Sequence, residues 1–222
     1  MLRQAVPLVT FIGQARDSSD EVVAAVDGFD PWQGLGERRS VLRFIDYKCS
    51  RPFQIHASCD GLIVLSLACH RFYICNPATL QWMQLLALTN GNTMFCGLYR
   101  HPSSDKYHIL LCRPDCYRFY HYYILKVGSS ENARNIGQPA DSELKKVIKC
   151  RLKDNSYPSV LLHDCLHWKK QERVIVFNIM DESFSCMSSP MHDKAAHILQ
   201  VDGTLGMGHV GDGIAKLWVL ED

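Results

Sequence analysis

The 222-residue sequence has no long apolar run, no Asn-x-Ser/Thr sequon and almost no charge bias. A membrane-spanning helix needs about 18 or more consecutive apolar residues. The formal net charge of +1 gives no general attraction for nucleic acid. The opening MLRQAVPLVTFIGQA resembles a signal peptide only faintly, because Pro7 and Thr10 interrupt its apolar stretch. We therefore expect a protein of the cytoplasm, the nucleus or both, with no membrane and no nucleic-acid partner.

The ten cysteines have neither the paired spacing of a zinc site nor the compact framework of a small secreted domain. Several of them, such as Cys75 and Cys112, lie inside apolar runs, where a thiol usually serves as a small core side chain. Cys112 and Cys116 flank a predicted turn, and a disulfide or metal pair there is the less favoured alternative. We expect reduced thiols.

Helix signals are scarce and strand signals dominate. Ser18 and Glu21 have capping-box spacing before apolar residues that stop at Gly28, which fits a short helix or a loop feature. Short runs rich in β-branched and aromatic residues alternate with turn signals and predict many short strands. These runs are residues 62–67, 71–75, 107–112, 120–127, 160–168, 173–179, 196–201 and 215–220. The pattern predicts an all-β sandwich, barrel or propeller.

A loose internal repeat favours the propeller. A polar turn, two apolar strands, a second turn and an aromatic residue follow one another from Asp60-Gly61 to Trp82. The same order recurs from Asp164 to Phe184 and begins again at Asp202-Gly203, leading to Trp218. Repeats of roughly 40–50 residues with several strands each are typical of kelch-type propeller blades. We therefore predict a kelch-like β-propeller, possibly incomplete, built from short antiparallel strands, with Trp82, Trp168 and Trp218 packed between blades.

Four stretches of the sequence, taken in order, resemble one known family. They are SCDGL with CNPATLQWMQL (58–62, 75–85), GLYRHPSSDKY (97–107), LHW with VIVFNIMDESF (166–168, 174–184), and DGTLG with WVLED (202–206, 218–222). This series is similar to the F-box-associated domain of plant F-box proteins. The resemblance is clearest over residues 56–222, and we expect residues 1–222 to form a single domain of this kind.

The resemblance implies a kelch-like propeller that has no catalytic activity and no cofactor and selects a target protein for an SCF-type cullin-RING ubiquitin ligase. An F-box would provide docking to a Skp-type adaptor and a cullin, and no F-box is visible before PLVTFIG. Family members also usually continue beyond WVLED. His101 stands where the family prefers Asp, and His163-Asp164-Cys165 replaces its usual glycine-containing turn.

Two other function classes stay open at this point. One is a protein-interaction scaffold, or a non-functional fragment, outside the ubiquitin system. The other is a propeller-based metalloenzyme, which would need metal ligands converging from several blades. The sequence has no Gly-x-Ser-x-Gly elbow and no serine or cysteine that stands out as an activated nucleophile. These features favour a non-catalytic protein.

Residues 206–211, GMGHVG, match the letters of the dinucleotide-binding fingerprint. That motif needs a following helix and an acidic residue about 20 positions later in a βαβ unit. The chain continues from Gly211 with another predicted strand and has only 11 residues left. We therefore predict a glycine-rich hairpin whose glycines turn one strand into the next.

Two further groups of residues could form sites. His163, Cys165 and His167 would share one face of a single strand, but same-face neighbours lie about 7 Å apart, too far for one zinc ion to bind all three easily. The stretch from Arg113 to Lys126 interleaves aromatic and basic residues. A strand with core-facing rings is its plainest interpretation, and the functional alternative is a protein-contact surface. The residues that we predict to bind a partner are Tyr117, Arg118, Phe119 and Tyr120.

Overall fold

A computed structural model describes most of the strand-forming chain. The residues described are 9–16, 22–29, 39–46, 54–67, 71–79, 81–85, 93–114, 120–142, 144–145, 159–170, 172–191, 196–211 and 214–219. Contacts along the chain cluster into two compact units, Met1–Leu86 and Ala87–Asp222. Each unit is made of antiparallel sheets in which successive strands are neighbours.

The first unit contains two sheets. Sheet A has the strand order β1-β2-β3 and sheet B the order β4-β5-β6-β7. Their strands are β1 (Val9–Arg16), β2 (Val22–Phe29), β3 (Arg39–Asp46), β4 (Gln54–Cys59), β5 (Leu62–Leu67), β6 (Arg71–Asn76) and β7 (Gln81–Gln84). The residues from Val22 to Gly28 therefore lie in a strand, and the helix considered for them is wrong. Three valines in this stretch suit a strand, and pairing with both β1 and β3 holds it there.

The second unit contains three sheets, which pair β8 to β11 as sheet C, β12 to β15 as sheet D and β16 to β18 as sheet E. Sheet C has β8 (Met94–His101), β9 (Lys106–Pro114), β10 (Tyr120–Lys126) and β11 (Arg134–Gly137). Sheet D has β12 (Val160–Leu162), β13 (Cys165–Lys170), β14 (Arg173–Asn178) and β15 (Ser183–Ser188). Sheet E has β16 (His197–Val201), β17 (Thr204–Gly211) and β18 (Ile214–Val219).

The repeat found in the sequence corresponds to a repeated hairpin. The first two strands of sheets B, D and E are joined by two residues with positive φ: Asp60 and Gly61, His163 and Asp164, and Asp202 and Gly203. Positive φ at both central positions is the geometry of a type I′ turn, whose twist matches that of the flanking strands. Glycine or aspartate occupies five of these six positions because short polar or absent side chains tolerate that conformation best.

A second repeated turn joins the third and fourth strands of sheets B and D. The Asn76 side-chain oxygen accepts hydrogen bonds from the backbone N–H groups of Ala78 and Thr79, at 3.0 and 3.4 Å. The Asn178 oxygen accepts from Met180 and Asp181, at 2.8 and 3.4 Å. An asparagine that bonds to the backbone in this way stabilises a turn locally. The same chemistry thus ends β6 and β14.

Sheets C and D enclose one core of the second unit. Tyr99 and Tyr122 of sheet C and Phe177 of sheet D are fully buried in it. The Tyr122 ring lies 4.5 Å, centroid to centroid, from that of Phe184 at the start of β15. Gly97 permits this close packing, since a Cβ there would lie 2.7 Å from Cδ1 of Leu166. Large rings and one missing side chain therefore set the spacing of the two sheets.

Sheets D and E enclose a second core. Val174 and Val176 of β14 pack there with Met207 of β17, whereas Ile175 and Phe177 of β14 pack into the first core. Because strand side chains alternate between faces, β14 is covered on both sides. That explains its uninterrupted apolar run, Val-Ile-Val-Phe.

The fold is all-β and belongs to the β-propeller class, as the sequence predicts. Its sheets are the antiparallel meanders from which propeller blades are made. Among the residues that the structure describes, no helix has the length and apolar character needed to cross a membrane.

Candidate protein-interaction surface

Of the four residues predicted to bind a partner, Tyr120 alone falls within the described part of the chain. Tyr117, Arg118 and Phe119 lie outside the described residues, in the connection between β9 and β10. Tyr120 begins β10 opposite Pro114, and its half-buried ring packs against the core between sheets C and D. Tyr120 therefore fixes one end of that connection to the sheet.

The same end of sheet C carries an arginine stacked on a tyrosine. The Arg113 guanidinium carbon lies 4.9 Å from the centroid of the Tyr123 ring, and the Arg113 Nε donates to Thr93 Oγ1 at 2.9 Å. Both Arg113 and Tyr123 are half-buried. A guanidinium above an aromatic ring is a cation–π contact, and here a hydrogen bond also fixes its direction.

His121 extends this group of side chains along the strand. It is paired with Arg113 across β9 and β10, and its Nε2 lies 3.2 Å from the side-chain nitrogen of Gln138. A register shift between Tyr122 and Tyr123, where β10 pairs with β11, marks a β-bulge that re-aims the neighbouring side chains. We call Thr93, Arg113, His121, Tyr123 and Gln138 the Arg113 surface. Sequence reasoning included Arg113, His121 and Tyr123 in one stretch but had no signal for Thr93 or Gln138, which lie far away in the chain.

The opposite end of sheet C has a different polar cluster. The Tyr99 and His108 rings meet edge to face at 5.6 Å, and the Tyr99 Oη and His108 Nδ1 are buried without hydrogen-bond partners. Burial, followed by the Glu182 carboxylate, raises the pKa of Tyr99 well above its ordinary value. Burial, followed by the neighbouring His101 and then Lys126, lowers the pKa of His108. Both groups are therefore held neutral between the sheets.

An ion pair crosses from sheet C to sheet D beside this cluster. Arg134 of β11 bonds Glu182, which lies in the turn before β15. His101 ends β8, and its Nδ1 accepts a hydrogen bond from the Ser103 N–H at 3.2 Å. An aspartate side chain makes this kind of bond at the start of a turn. His101 makes the same kind of bond with its ring nitrogen.

The histidine and cysteine group of sheet D does not lie in one strand. His163 is exposed in the turn between β12 and β13, so the expectation that it shares a strand face with Cys165 and His167 is wrong. His167 is buried, and its Nδ1 lies 3.4 Å from the Val160 carbonyl oxygen. The described part of the chain holds no group of three or more His, Cys, Asp or Glu placed to bind a metal ion.

The glycine motif forms most of a strand. Gly206 and Gly208 lie inside β17, so the expectation that they turn one strand into the next is wrong for these two. Gly203 is a turn glycine, with φ of 80°, and Gly213 of the same stretch lies outside the described residues. A Cβ on Gly208 would lie 2.8 Å from Cδ2 of Leu199, so the glycine leaves room for that side chain. This packing role is unrelated to phosphate binding.

The described cysteines carry free thiols. Cys96 lies beside Cys112 in the core between sheets C and D, and burial raises the pKa of Cys96 well above its ordinary value. Burial also raises the pKa of Cys75 to about 11. A thiol that stays protonated is a poor nucleophile, so these cysteines serve as core side chains. Cys116 lies outside the described residues.

The three repeated tryptophans have different environments. Trp168 is buried in the core between sheets C and D, and its Nε1 donates to the Cys96 carbonyl at 2.8 Å, as predicted for a ring packed between blades. Trp82 and Trp218 are 55% and 37% exposed, so the prediction is wrong for them. Trp82 lies in β7 and Trp218 in β18, each the last strand in the described order of its sheet.

No family model matches the chain, and no curated protein matches it significantly. The function must therefore be inferred from the side chains and the fold themselves.

Proposed function

We propose that the protein is a non-catalytic binding module that recognises another protein. The observation that carries this proposal is the Arg113 surface, where a guanidinium is held over a tyrosine ring at the end of a sheet. Arginine and tyrosine are over-represented among the residues that dominate binding energy at protein interfaces. Binding residues on a rigid sheet also lose little conformational entropy when a partner docks.

The neighbouring connection supports the same conclusion. Tyr117, Arg118 and Phe119 continue the composition of the Arg113 surface, and the connection that contains them begins after Pro114 and ends at Tyr120. Loops held by a rigid scaffold are a common place for binding residues. We propose that these residues and the Arg113 surface contact one partner.

The resemblance to F-box-associated domains supports a narrower proposal. In that proposal the bound partner is a protein selected for ubiquitination by an SCF-type cullin-RING ligase, in the cytoplasm or nucleus. The kelch-like character of the blades belongs to this narrower proposal. Docking to a Skp-type adaptor and a cullin would be the role of an F-box.

Affinity purification of the tagged chain from its source cells tests both levels. We expect at least one protein to co-purify with the wild-type chain and to be lost with Arg113→Ala and with the combined Tyr117→Ala, Arg118→Ala and Phe119→Ala variant. Arg71→Ala, which removes an exposed strand arginine from sheet B, is the matched control and should retain it. Recovery of Skp and cullin subunits would support the narrower proposal.

Thermal unfolding of each variant accompanies the purification. The proposal requires that Arg113→Ala still unfolds in one cooperative transition, at most slightly below that of the wild type, while losing the partner. If all variants capture the same proteins, the Arg113 surface is not the binding site. If the combined variant unfolds, its three residues belong to the core, and the Arg113→Ala result alone decides.

A further inference from the structure

Strand β18 is the most exposed apolar strand among those whose side chains the structure describes. All six of its residues, Ile214–Val219, are exposed, and four of them are large and apolar. Ile214 and Leu217 are 59% and 55% exposed. On its inner side β18 pairs with β17 along its whole length, and among the described residues no strand pairs with its outer side. An apolar strand at a sheet edge is a template for another strand.

The three four-stranded sheets B, C and D show how such a strand is covered when it has a neighbour on each side. β6, β10 and β14 are the third strands of sheets B, C and D, and each lies between two paired neighbours. β6 and β14 have the same burial pattern, with four consecutive buried residues. β18 is the third strand of sheet E and is as apolar as they are, yet its residues remain exposed. The third strand of sheet E is therefore as apolar as the covered third strands of the four-stranded sheets, although sheet E has three described strands.

Charge decides which kind of strand would fit. Lys216 is the one charged residue of β18 and is exposed at its centre. It lies opposite His209 of β17, so the paired residue on that side offers Lys216 no carboxylate. β18 contains no acidic residue, so a second copy of β18 could not place a carboxylate beside Lys216. Opposite charges on neighbouring strands stabilise pairing, and like charges oppose it.

We propose that the outer edge of β18 binds an extended segment of a partner protein as the fourth strand of sheet E. The segment has a carboxylate beside Lys216 and apolar residues on both sides of it. Backbone hydrogen bonds supply affinity in this mode of recognition, and side-chain pairs supply specificity. The proposal rests on the proposed function only in treating the chain as a protein-binding module, since β18 is a separate surface from the Arg113 surface.

Peptide binding to the full chain tests the proposal. The probe is the fluorescein-labelled peptide Lys-Thr-Val-Val-Glu-Val-Val-Thr-Lys, and the second probe has Lys in place of its Glu. Fluorescence anisotropy should show that the wild-type chain binds the Glu peptide roughly tenfold more tightly than the Lys peptide. Lys216→Glu should reverse this preference. Lys106→Glu, a matched change of an exposed lysine at the start of β9, should leave it unchanged.

Several results would overturn the proposal. One is that the wild-type chain binds neither peptide. Another is that Lys216→Glu leaves the preference between the two peptides unchanged. A third is dimerisation in sedimentation experiments that Leu217→Lys abolishes, because the occupant of the edge would then be a second copy. Failure of these assays leaves the partner capture through Arg113 unaffected, so the two proposals fail separately.

Discussion

Strands β14 and β18 are both apolar third strands, yet they have opposite environments. β14 has Val174, Ile175 and Phe177 fully buried, whereas every residue of β18 is exposed. The difference comes from neighbours, since β14 lies between β13 and β15 and is covered by a core on each face. Hydrophobic side chains stabilise the fold only where they lose contact with water. The same composition therefore gives stability in sheet D and an available surface in sheet E.

Removing one apolar side chain from each of the two strands should give the largest difference in the free energy of unfolding. Phe177→Ala should lower the free energy of unfolding by about 3–5 kcal/mol, because it leaves a cavity between sheets C and D. Leu217→Ala in β18 should change it by less than about 1 kcal/mol, because the side chain is mostly solvated. Urea unfolding measured by circular dichroism gives both values. Equal losses would mean that β18 is buried in solution.

Trp168 and Trp218 provide a second comparison of stability, in which the expected loss is smaller. Trp168→Phe removes the indole donor to the buried Cys96 carbonyl, which should cost about 1–3 kcal/mol. Trp218→Phe should stay within about 0.5 kcal/mol of wild type, as surface changes usually do. Thermal unfolding of the two variants distinguishes them. A larger loss for Trp218→Phe would contradict the exposed position of β18.

The smallest predicted effect is a pH dependence located in sheet D. Burial lowers the pKa of His167 from the ordinary value of 6.5, opposed by backbone hydrogen bonds to Val160 and Cys165. The unfolded chain therefore binds more protons than the folded chain below that value. Stability contributed by neutral His167 is complete above pH 6.5 and is lost as the pH falls toward the folded pKa.

Unfolding free energies measured on either side of that range check this prediction. His167→Gln should reduce the loss of stability on acidification without abolishing it, because the lowered pKa values of His108 and His197 contribute in the same direction. An unchanged slope in His167→Gln would mean that this histidine is already solvated.

The strand-and-turn pattern allowed the fold to be predicted because it is a local property. Asp60-Gly61 and Asp202-Gly203 carry their turn chemistry in adjacent residues, and so does the Asn76 turn. The helix considered within Val22–Phe29 was wrong because a capping-box spacing is also a local signal. Pairing of this segment with β1 and β3 overrides that signal. Local propensity decides whether a segment forms a helix or a strand only where tertiary contacts are weak.

The candidate surfaces were less predictable because they depend on residues distant in the chain. Thr93 and Gln138 approach Arg113 and His121 only after β8 to β11 pair. The difference between the buried Trp168 and the exposed Trp218 was not predicted either, since burial depends on which strands flank each tryptophan: β13 pairs with two neighbours, and β18 pairs with one among the described strands. Tyr117, Arg118 and Phe119 remain a prediction from composition.

Hydrogen–deuterium exchange of β14 and β18, measured by mass spectrometry on the full chain, tests the central comparison most directly. The two strands are of equal length and nearly equal apolar content, so composition cannot account for a difference. We expect amides of β14 to exchange only through global unfolding, and about half of those in β18, the ones facing away from β17, to exchange orders of magnitude faster. Addition of the Glu peptide should slow exchange in β18 alone. Equally slow exchange of both strands in the free chain would show that the outer edge of β18 is already paired and would contradict the account.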